Sequence, residues 1–285
     1  MRSKGGGLLA GGVLSCATRM HPQVGPLAGF LVGWLLAAVL GGGSAVWLMY
    51  RSGLSDYQIA VAFYSRVAAL LIGSKILYLI EAWPAWTADR TAIMAALFSE
   101  QMRIPGGILL ALAIGPWVAR ASGVRYLALG DTIVPAAGLM IFGIRTGCFL
   151  EGCCFGIPSI VPWAVRFPAM SEAYAWQVQH GLLSAALPES LPVHPLQLYF
   201  GLTGVLLFAG LAAYQPYKRY EGEVLLLFAL GFLWSTWLLE AMRARPHVLT
   251  QHIVLGAAMA TTTLAAAIEH RRRVRRSTAA RIKAE

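Results

Sequence analysis

Residues 142–159 read FGIRTGCFLEGCCFGIPS, and this stretch places unusual residues at the end of an apolar run. It holds Arg145, Glu151 and three of the chain's four cysteines. An ionisable side chain within an apolar span costs roughly 2.5–3.5 kcal/mol on insertion scales, so such a residue marks a functional candidate. Its four glycines allow close packing of helices, and they allow a backbone to approach a bound headgroup. The stretch therefore predicts a tightly packed helix that ends at a polar site.

The composition places the chain in a membrane. Of its 285 residues, 58% are hydrophobic and only 13% are charged, and the mean hydropathy is +0.63. A soluble domain has about 45–50% apolar and about 25% charged residues, so too few charges are present to cover a globular surface. The net charge of +10 is concentrated in the tail 270–283. We interpret that tail as a membrane-surface anchor rather than as a nucleic-acid-binding arm.

Apolar stretches long enough to cross a bilayer indicate an all-α polytopic membrane protein with about seven transmembrane helices. Two stretches are interrupted, the third by Pro105-Gly106-Gly107 and the fourth by Pro135. Broken helices at membrane depth are tolerated only where protein or a water-filled cavity satisfies the freed backbone groups, so we expect these breaks to face a site. The predicted spans are 27–50, 57–80, 93–118, 127–149, 196–214, 224–239 and 253–267.

Basic residues in the short loops set the predicted orientation in the membrane. The loops that carry Arg51, Arg120 with Arg125, Lys218 with Arg219, and the tail all fall on one side, which we assign to the cytoplasm. The segment 157–193, between the fourth and fifth spans, then forms a small extracytoplasmic cap, although an aromatic belt at the lipid interface would have the same composition.

Three regions follow from this topology. Residues 1–26 form a flexible leader, 27–268 the transmembrane domain and 269–285 the basic cytoplasmic tail. Cys16 follows VLS in a loose lipoprotein-type cleavage pattern, but the apolar run before it is short and glycine-rich. A flexible leader is the simpler interpretation.

The cysteines Cys148, Cys153 and Cys154 have three interpretations. They are small buried hydrophobic residues, or two of them form a redox pair in an oxidising compartment, or all three bind a metal. Their spacing is not the usual two-residue knuckle and no fourth ligand lies near in sequence, so we expect neither a metal nor a cofactor. His194 begins the fifth span at the same face and is a candidate base, because neutral imidazole accepts a thiol proton near pH 7.

An ordered set of motifs resembles the bacterial phosphatidylglycerol–prolipoprotein diacylglyceryl transferases. IRTGCFLEGCCFG (144–156) is similar to the family signature G-R-I-G-N-F-I-N-G-E-x-x-G. The other matches are GSKILYL (73–79) to G-x-R-L-x-Y-V, PGGILLA (105–111) to H-G-G-L, PWAVRFP (162–168) to P-W-A-V-x-F-P, HPLQLYF (194–200) to H-P-S-Q-L-Y-E, and LLEAMR (238–243) to V-E-F-F-R.

The resemblance implies transfer of a diacylglyceryl group from a phosphatidylglycerol-like phospholipid to the cysteine thiol of a prolipoprotein signal peptide. The resemblance implies that the reaction takes place in the bacterial inner membrane, without a nucleic-acid partner and without a cofactor. Arg145 falls on the signature arginine that the family uses at the phosphate. Substrate-binding positions carried over or placed at the same face are Lys75, Tyr78, Gly106, Gly107, Gly147, Gly152, Gln197, Tyr199, Glu240 and Arg243.

The chain departs from the family pattern at polar positions. The histidine before Gly-Gly is Pro105, and the arginine four residues before Glu240 is Thr236. The signature asparagines are Cys148 and Glu151, and its glutamate is Cys153. We expect His194 and Glu151 to be the candidate proton acceptors, with His194 favoured because a carboxylate near a buried arginine is weakly basic. A relative with thiol–disulfide chemistry and a non-catalytic lipid-binding membrane protein are the alternatives.

Overall fold

The structure is a computed structural model that describes residues 26–83, 94, 96, 97, 102–169 and 171–244. Within these ranges the chain is helical, with isolated β-bridges but no strands. The helices are α1 (Pro26–Leu36), α2 (Gly43–Arg51), α3 (Asp56–Glu81), α4 (Ile104–Ala121), α5 (Tyr126–Ile133), α6 (Ala136–Glu151), α7 (Glu172–Gln179), α8 (Leu196–Tyr214) and α9 (Glu223–Glu240). A π-helical segment, Ala37–Gly42, joins α1 to α2, and a 3₁₀ turn, Gln215–Tyr217, follows α8.

The predicted all-α polytopic membrane fold is confirmed. Five described segments are long and apolar enough to cross a bilayer: Gly29–Arg51, Asp56–Glu81, Ile104–Ala121, Leu196–Tyr217 and Glu223–Glu240. Helices α5 and α6 make a sixth if they count as one broken span. Large apolar side chains on these helices face outward, such as Val39 and Trp117, each 69% exposed. The predicted seventh span, 253–267, lies outside the described residues, so the number seven stays a prediction.

The two predicted helix breaks differ in where the proline lies relative to the helix. Helix α5 ends at Ile133 and α6 begins at Ala136, with Pro135 between them as expected. Pro105 instead lies in the first turn of α4, which begins at Ile104. A proline there removes an N–H that has no partner within the helix in any case, so it starts the helix rather than interrupting it. The stretch 93–118 is nevertheless interrupted next to Pro105, because Arg103 is extended just before α4 and residues 94, 96 and 97 are helical.

The described chain divides into two compact units. The first consists of Met1–Ser44, Pro135–Tyr217 and Val224–Glu285, as far as these ranges are described. Helix α6 is at its centre and packs against α1, the π-helical segment and α8. Glycines permit these contacts: a Cβ on Gly147 would lie 2.9 Å from the Cα of Gly33, and one on Gly138 would overlap the carbonyl oxygen of Gly204.

The segment 157–193 packs, within the first unit, around a hydrophobic core that it shares with the end of α6. Phe149 at the end of α6 and Phe155 beyond it join Val165, Phe167 and Val193 in this core. The aromatic rings of Phe149 and Phe167 meet edge to face with centroids 5.9 Å apart. Short bridges pair Val193 with both Pro158 and Val165. The segment is thus a folded lobe, while its position as a cap and its side of the membrane stay predictions.

The second unit consists of Ala45–Val134 and Lys218–Glu223. Its main feature is the pair α3 and α4, which approach closely at Gly73 and Gly106. A second packing centre surrounds Met49, Ile59 and Leu129. The fully buried carboxylate of Asp131 accepts hydrogen bonds from Lys218 Nζ at 3.2 Å and from the backbone N–H of Gly222 at 2.8 Å. That ion pair fixes the loop before α9 within this unit.

Candidate functional site

A left-handed turn at the end of α6 organises the candidate site. Gly152 has φ = 70°, and its N–H donates to the carbonyl of Phe149 at 3.2 Å. The next N–H, of Cys153, donates to the carbonyl of Cys148 at 3.1 Å. Glycine adopts positive φ without steric cost. A Cβ at position 152 would also lie 2.9 Å from the Cβ of Ser171. The signature glycines thus serve packing at Gly147 and chain reversal at Gly152.

The turn brings three thiols together. The sulfurs of Cys148, Cys153 and Cys154 all lie within 4.8 Å of one another, and each side chain is half-buried and free. We call these three residues the thiol cluster. Cys154 has φ = 56°, a left-handed conformation that side chains other than glycine adopt at a cost. Sequence spacing did not predict this convergence, because it depends on two left-handed residues in one turn.

One thiolate within the cluster is strongly favoured over the others. Hydrogen bonds from the thiols of Cys148 and Cys153, and then the positive charges of Arg145 and Arg243, lower the pKa of Cys154. Hydrogen bonding to Cys148 and Cys154 raises the pKa of Cys153. The three groups therefore share an ionisation that is centred on Cys154. A thiolate, rather than a thiol, is the nucleophile and the metal ligand.

Two arginines on different elements act electrostatically on Cys154. The guanidinium carbon of Arg145, on α6, lies 4.3 Å from the ring centroid of Phe200 on α8, an arrangement suited to a cation–π contact. Arg243 follows α9, and its Nε lies 2.6 Å from Glu240 Oε1, with both side chains almost fully buried. The sequence predicted Arg145, Glu240 and Arg243 as site residues. Both positive charges lower the pKa of Cys154, and the backbone of Arg243 pairs with that of Gly156, two residues beyond Cys154.

Glu151 has a different partner. Its Oε1 accepts the backbone N–H of Phe30 at 2.9 Å. This bond ties the end of α6 to α1, near Gly29, where a Cβ would lie 2.9 Å from Glu151 Cγ. Arg145 contacts Phe200 on α8 instead. The candidate base Glu151 thus faces α1.

His194 belongs to an aromatic hydrogen-bonded group. Its Nδ1 lies 3.1 Å from the hydroxyl oxygen of Tyr199, which also accepts the indole N–H of Trp163 at 2.6 Å. Its backbone pairs with the signature stretch, because the N–H of Gly156 donates to its carbonyl at 3.0 Å. Burial lowers the pKa of His194. The imidazole is therefore neutral at pH 7, as a base must be.

Gln197 connects the fifth predicted span to the thiol cluster. Its side chain is fully buried, and its Nε2 donates to the carbonyl of Cys153 at 2.5 Å. Its Oε1 has no hydrogen-bond partner among the described residues, and neither does the buried hydroxyl of Thr236. Buried acceptors without partners are rare because desolvation costs about 1–3 kcal/mol. The carbonyl oxygen of Gln197 is therefore available to a ligand donor.

The remaining predicted residues form a group in the second unit. Lys75 Nζ lies 5.2 Å from the ring centroid of Tyr78. Arg103, which sequence reasoning missed, lies 5.6 Å from the same ring and pairs with Glu81 at 2.5 Å. Gly106 and Gly107 pack α4 on α3, since a Cβ on Gly107 would lie 2.6 Å from Ser74 Oγ. Arg103 lies 22 residues beyond its partner Glu81, so local sequence carried no signal for this pair.

Comparisons with known proteins agree on one family. The family model described as prolipoprotein diacylglyceryl transferase matches residues 26–269. The phosphatidylglycerol–prolipoprotein diacylglyceryl transferase of Bordetella avium is 31% identical over 64% of this chain, and the match covers 62% of that protein's length. The proteins of the same name from Bordetella parapertussis and Legionella pneumophila strain Paris are 29% and 25% identical over 78% of this chain, and 80% and 85% of theirs.

Proposed function

Because this chain belongs to the prolipoprotein diacylglyceryl transferase family, we propose that it transfers a diacylglyceryl group from phosphatidylglycerol to the cysteine thiol of a prolipoprotein. In this reaction the peptide thiolate attacks the glyceryl carbon that bears the phosphate. The carbon–oxygen bond breaks and glycerol phosphate leaves, while a base takes the thiol proton. The observation that carries the proposal is that Arg243, which follows α9, pairs its backbone with Gly156 just beyond α6, the helix that holds Arg145.

Arg145 binds the phosphate in this proposal. Its guanidinium is a planar fork that matches two phosphate oxygens, and it keeps its charge when partly desolvated. The ring of Phe200, 4.3 Å away, holds the guanidinium in place. Arg243 supplies the second positive charge that the family pattern places at position 236, where this chain has Thr236. Its ion pair with Glu240 orients it before the substrate arrives.

His194 accepts the proton of the attacking thiol. When its Nδ1–H donates to the Tyr199 oxygen, Nε2 is left without a proton and is the basic atom. Trp163 donates to the same oxygen, so the Tyr199 hydroxyl has two donors and stays fixed in position. Glu151 is a weaker candidate because its carboxylate accepts the backbone N–H of Phe30. We therefore assign catalytic roles to Arg145 and His194, and Glu151 ranks below His194 as a candidate base.

The other predicted residues bind or orient the substrates. Gln197 Oε1 accepts a hydroxyl of the glycerol headgroup, since that buried oxygen has no hydrogen-bond partner in the described part of the chain. Tyr199 orients His194, and Gly147 and Gly152 shape the backbone at the headgroup. Within the second unit, Lys75 and Tyr78, with Gly106 and Gly107, are substrate-binding candidates because they fall on family motifs. The chain acts in the bacterial inner membrane with its C-terminus in the cytoplasm.

The test in cells is complementation. A strain depleted of its own transferase should regain growth and lipoprotein modification when it expresses this chain, with modification read as a mass increase of one diacylglyceryl group on a reporter lipoprotein. Arg145→Ala should fail at the same protein level, whereas Arg120→Ala, which changes an exposed arginine at the end of α4, should succeed. A wild-type chain that reaches the membrane and leaves the reporter unmodified would contradict the proposed function.

A further inference from the structure

The thiol cluster lies on the same turn as the proposed phosphate site, and the proposed transfer reaction assigns it no role. Its three sulfurs, from Cys148, Cys153 and Cys154, lie within 4.8 Å of one another. A cation held at about 2.3 Å from three sulfurs requires a sulfur triangle of roughly 4.0 Å on each side. Side-chain rotations that move the sulfurs by less than an ångström achieve this, because the cysteine side chain turns about a single bond.

The backbone supports this arrangement at a cost. Cys154 is the one residue other than glycine with positive φ in the described chain. A left-handed conformation costs such a residue roughly 1–2 kcal/mol, and outliers of this kind cluster at functional sites. The buried amide of Gln197 holds the turn by donating to the carbonyl of Cys153. The turn is therefore maintained against local preference, and its effect is to direct Cys154 toward the other two thiols.

The donor set selects the kind of metal. Three thiolates form a soft site, which prefers Cu(I) or zinc over magnesium, calcium or manganese. Among the described residues, no histidine, aspartate or glutamate completes the group as a fourth ligand. Structural zinc sites are almost always four-coordinate, whereas Cu(I) is stable with three thiolates. The set therefore fits Cu(I) better than zinc.

The positive charges around the thiol cluster favour the same ion, because its thiolate complex is anionic. One Cu(I) and three thiolates form a complex of charge −2, and each thiol that is not already ionised releases its proton to solvent on binding. Arg145 lies three residues before Cys148 on α6, and the backbone of Arg243 pairs with that of Gly156, two residues beyond Cys154. An anionic complex beside two guanidinium groups is favourable in a partly buried site. A cation that lacked thiolate ligands would be repelled by the two guanidinium groups.

We propose that Cys148, Cys153 and Cys154 form a binding site for one thiophilic cation, Cu(I), in a three-coordinate thiolate geometry. The ion joins the last turn of α6 to the loop after it and thereby fixes the backbone next to Arg145. This site goes beyond the transferase activity and does not depend on it, because binding is measured without lipid or peptide.

The test uses the full-length chain, purified in detergent, reduced with dithiothreitol and desalted without oxygen. Cu(I) is added in the presence of ascorbate, and a colorimetric Cu(I) chelator competes for it. We expect one Cu(I) per chain to remain bound, and X-ray absorption to show three sulfurs at about 2.3 Å. Loss of an outer-shell partner weakens a metal site by about 10- to 100-fold. Cys148→Ser, Cys153→Ser and Cys154→Ser should each weaken binding at least that much.

Cys16→Ser is the matched control, because it removes the chain's fourth cysteine, and it should leave Cu(I) binding unchanged. A measurement on the unaltered chain avoids any question of folding: Cu(I) should protect three thiols from maleimide, counted by mass. Zinc added alone should bind more weakly and protect fewer thiols. Equal Cu(I) binding by the triple cysteine variant, a nitrogen–oxygen coordination shell, or no protection in the unaltered chain would each overturn the proposal.

Discussion

Single residues determine the chemistry of the site, and Arg145 is the first to test. Its guanidinium carbon lies 4.3 Å from the ring centroid of Phe200, which holds the side chain in place. Loss of one charged donor at a preorganised site costs about 10²–10³ in rate. We expect Arg145→Ala to lower the initial rate of lipid transfer to a peptide by that factor, and Arg145→Lys to restore only part of it, because an ammonium lacks the planar fork.

The control for Arg145 is Arg120→Ala, on an exposed position at the end of α4. Its rate should equal that of the unaltered chain at equal protein level. An Arg145→Ala chain that transfers lipid at the unaltered rate would remove Arg145 from the mechanism.

His194 is tested by the order of two substitutions and by pH. His194→Ala should lower the rate more than Glu151→Gln, because Glu151 already accepts the N–H of Phe30. Burial lowers the pKa of His194, so the base form persists as pH falls. The rate of the unaltered chain should therefore decline only below the ordinary imidazole value near 6.5. His194→Ala should lose this acid limb. The reverse order of the two variants, or an unchanged pH profile in His194→Ala, would contradict the assignment.

The sequence identified these residues more readily than their partners. Arg145 and the cysteines stand out in an apolar stretch, so their importance was predictable. The partner of Glu151 was not, since Phe30 lies 121 residues away. The left-handed conformation of Cys154 was equally hidden, because propensity assigns that conformation to glycine. Long-range contacts and local strain are tertiary results that one sequence does not encode in a readable pattern.

Whole elements were predictable where hydropathy alone sets them. The boundaries of α3, α8 and α9 agree with the predicted spans to within a residue. Pro135 separates α5 from α6, whereas Pro105 begins α4, and both prolines follow the same steric rule at different positions in a helix. The close crossing of α6 and α8 was not located by sequence, since glycine-rich helices have many candidate contact points.

The crossing of α6 and α8 is tested by the same glycine-to-alanine substitution at two positions of α8. A Cβ on Gly204 would overlap the carbonyl oxygen of Gly138 on α6, so Gly204→Ala should destabilise the fold by about 1–3 kcal/mol. A Cβ on Gly210 meets nothing within 4 Å. Gly210→Ala should therefore be neutral or slightly stabilising, because alanine is the better helix former.

The measurement is the thermal unfolding midpoint in detergent, followed by helical circular dichroism. Gly204→Ala should unfold at a lower temperature than the parent, and Gly210→Ala at the same temperature or above it. Equal midpoints for the two variants would mean that α6 and α8 do not approach at these glycines.

For the whole molecule, the predicted topology places 171–192 outside the cell and the tail 271–283 in the cytoplasm. The tail lies outside the described residues, so its side of the membrane is tested by labelling introduced cysteines. In a background without the native cysteines, His180→Cys should react with a membrane-impermeant maleimide applied to intact cells, and Ser277→Cys should react only after lysis. The cysteine-free parent is the control. Labelling at 277 but not at 180 in intact cells would invert the topology.

The central claim is that this chain transfers diacylglyceryl groups despite Pro105 and Thr236, and purified components test it most directly. The full-length chain is reconstituted in vesicles of phosphatidylglycerol and given a peptide that carries a lipoprotein signal with one cysteine. We predict a peptide product heavier by one diacylglyceryl group, together with an equal amount of glycerol phosphate. Vesicles of phosphatidylethanolamine alone, or a serine in place of the peptide cysteine, should give neither product. An unmodified peptide in phosphatidylglycerol vesicles, with folded protein present, would contradict the account.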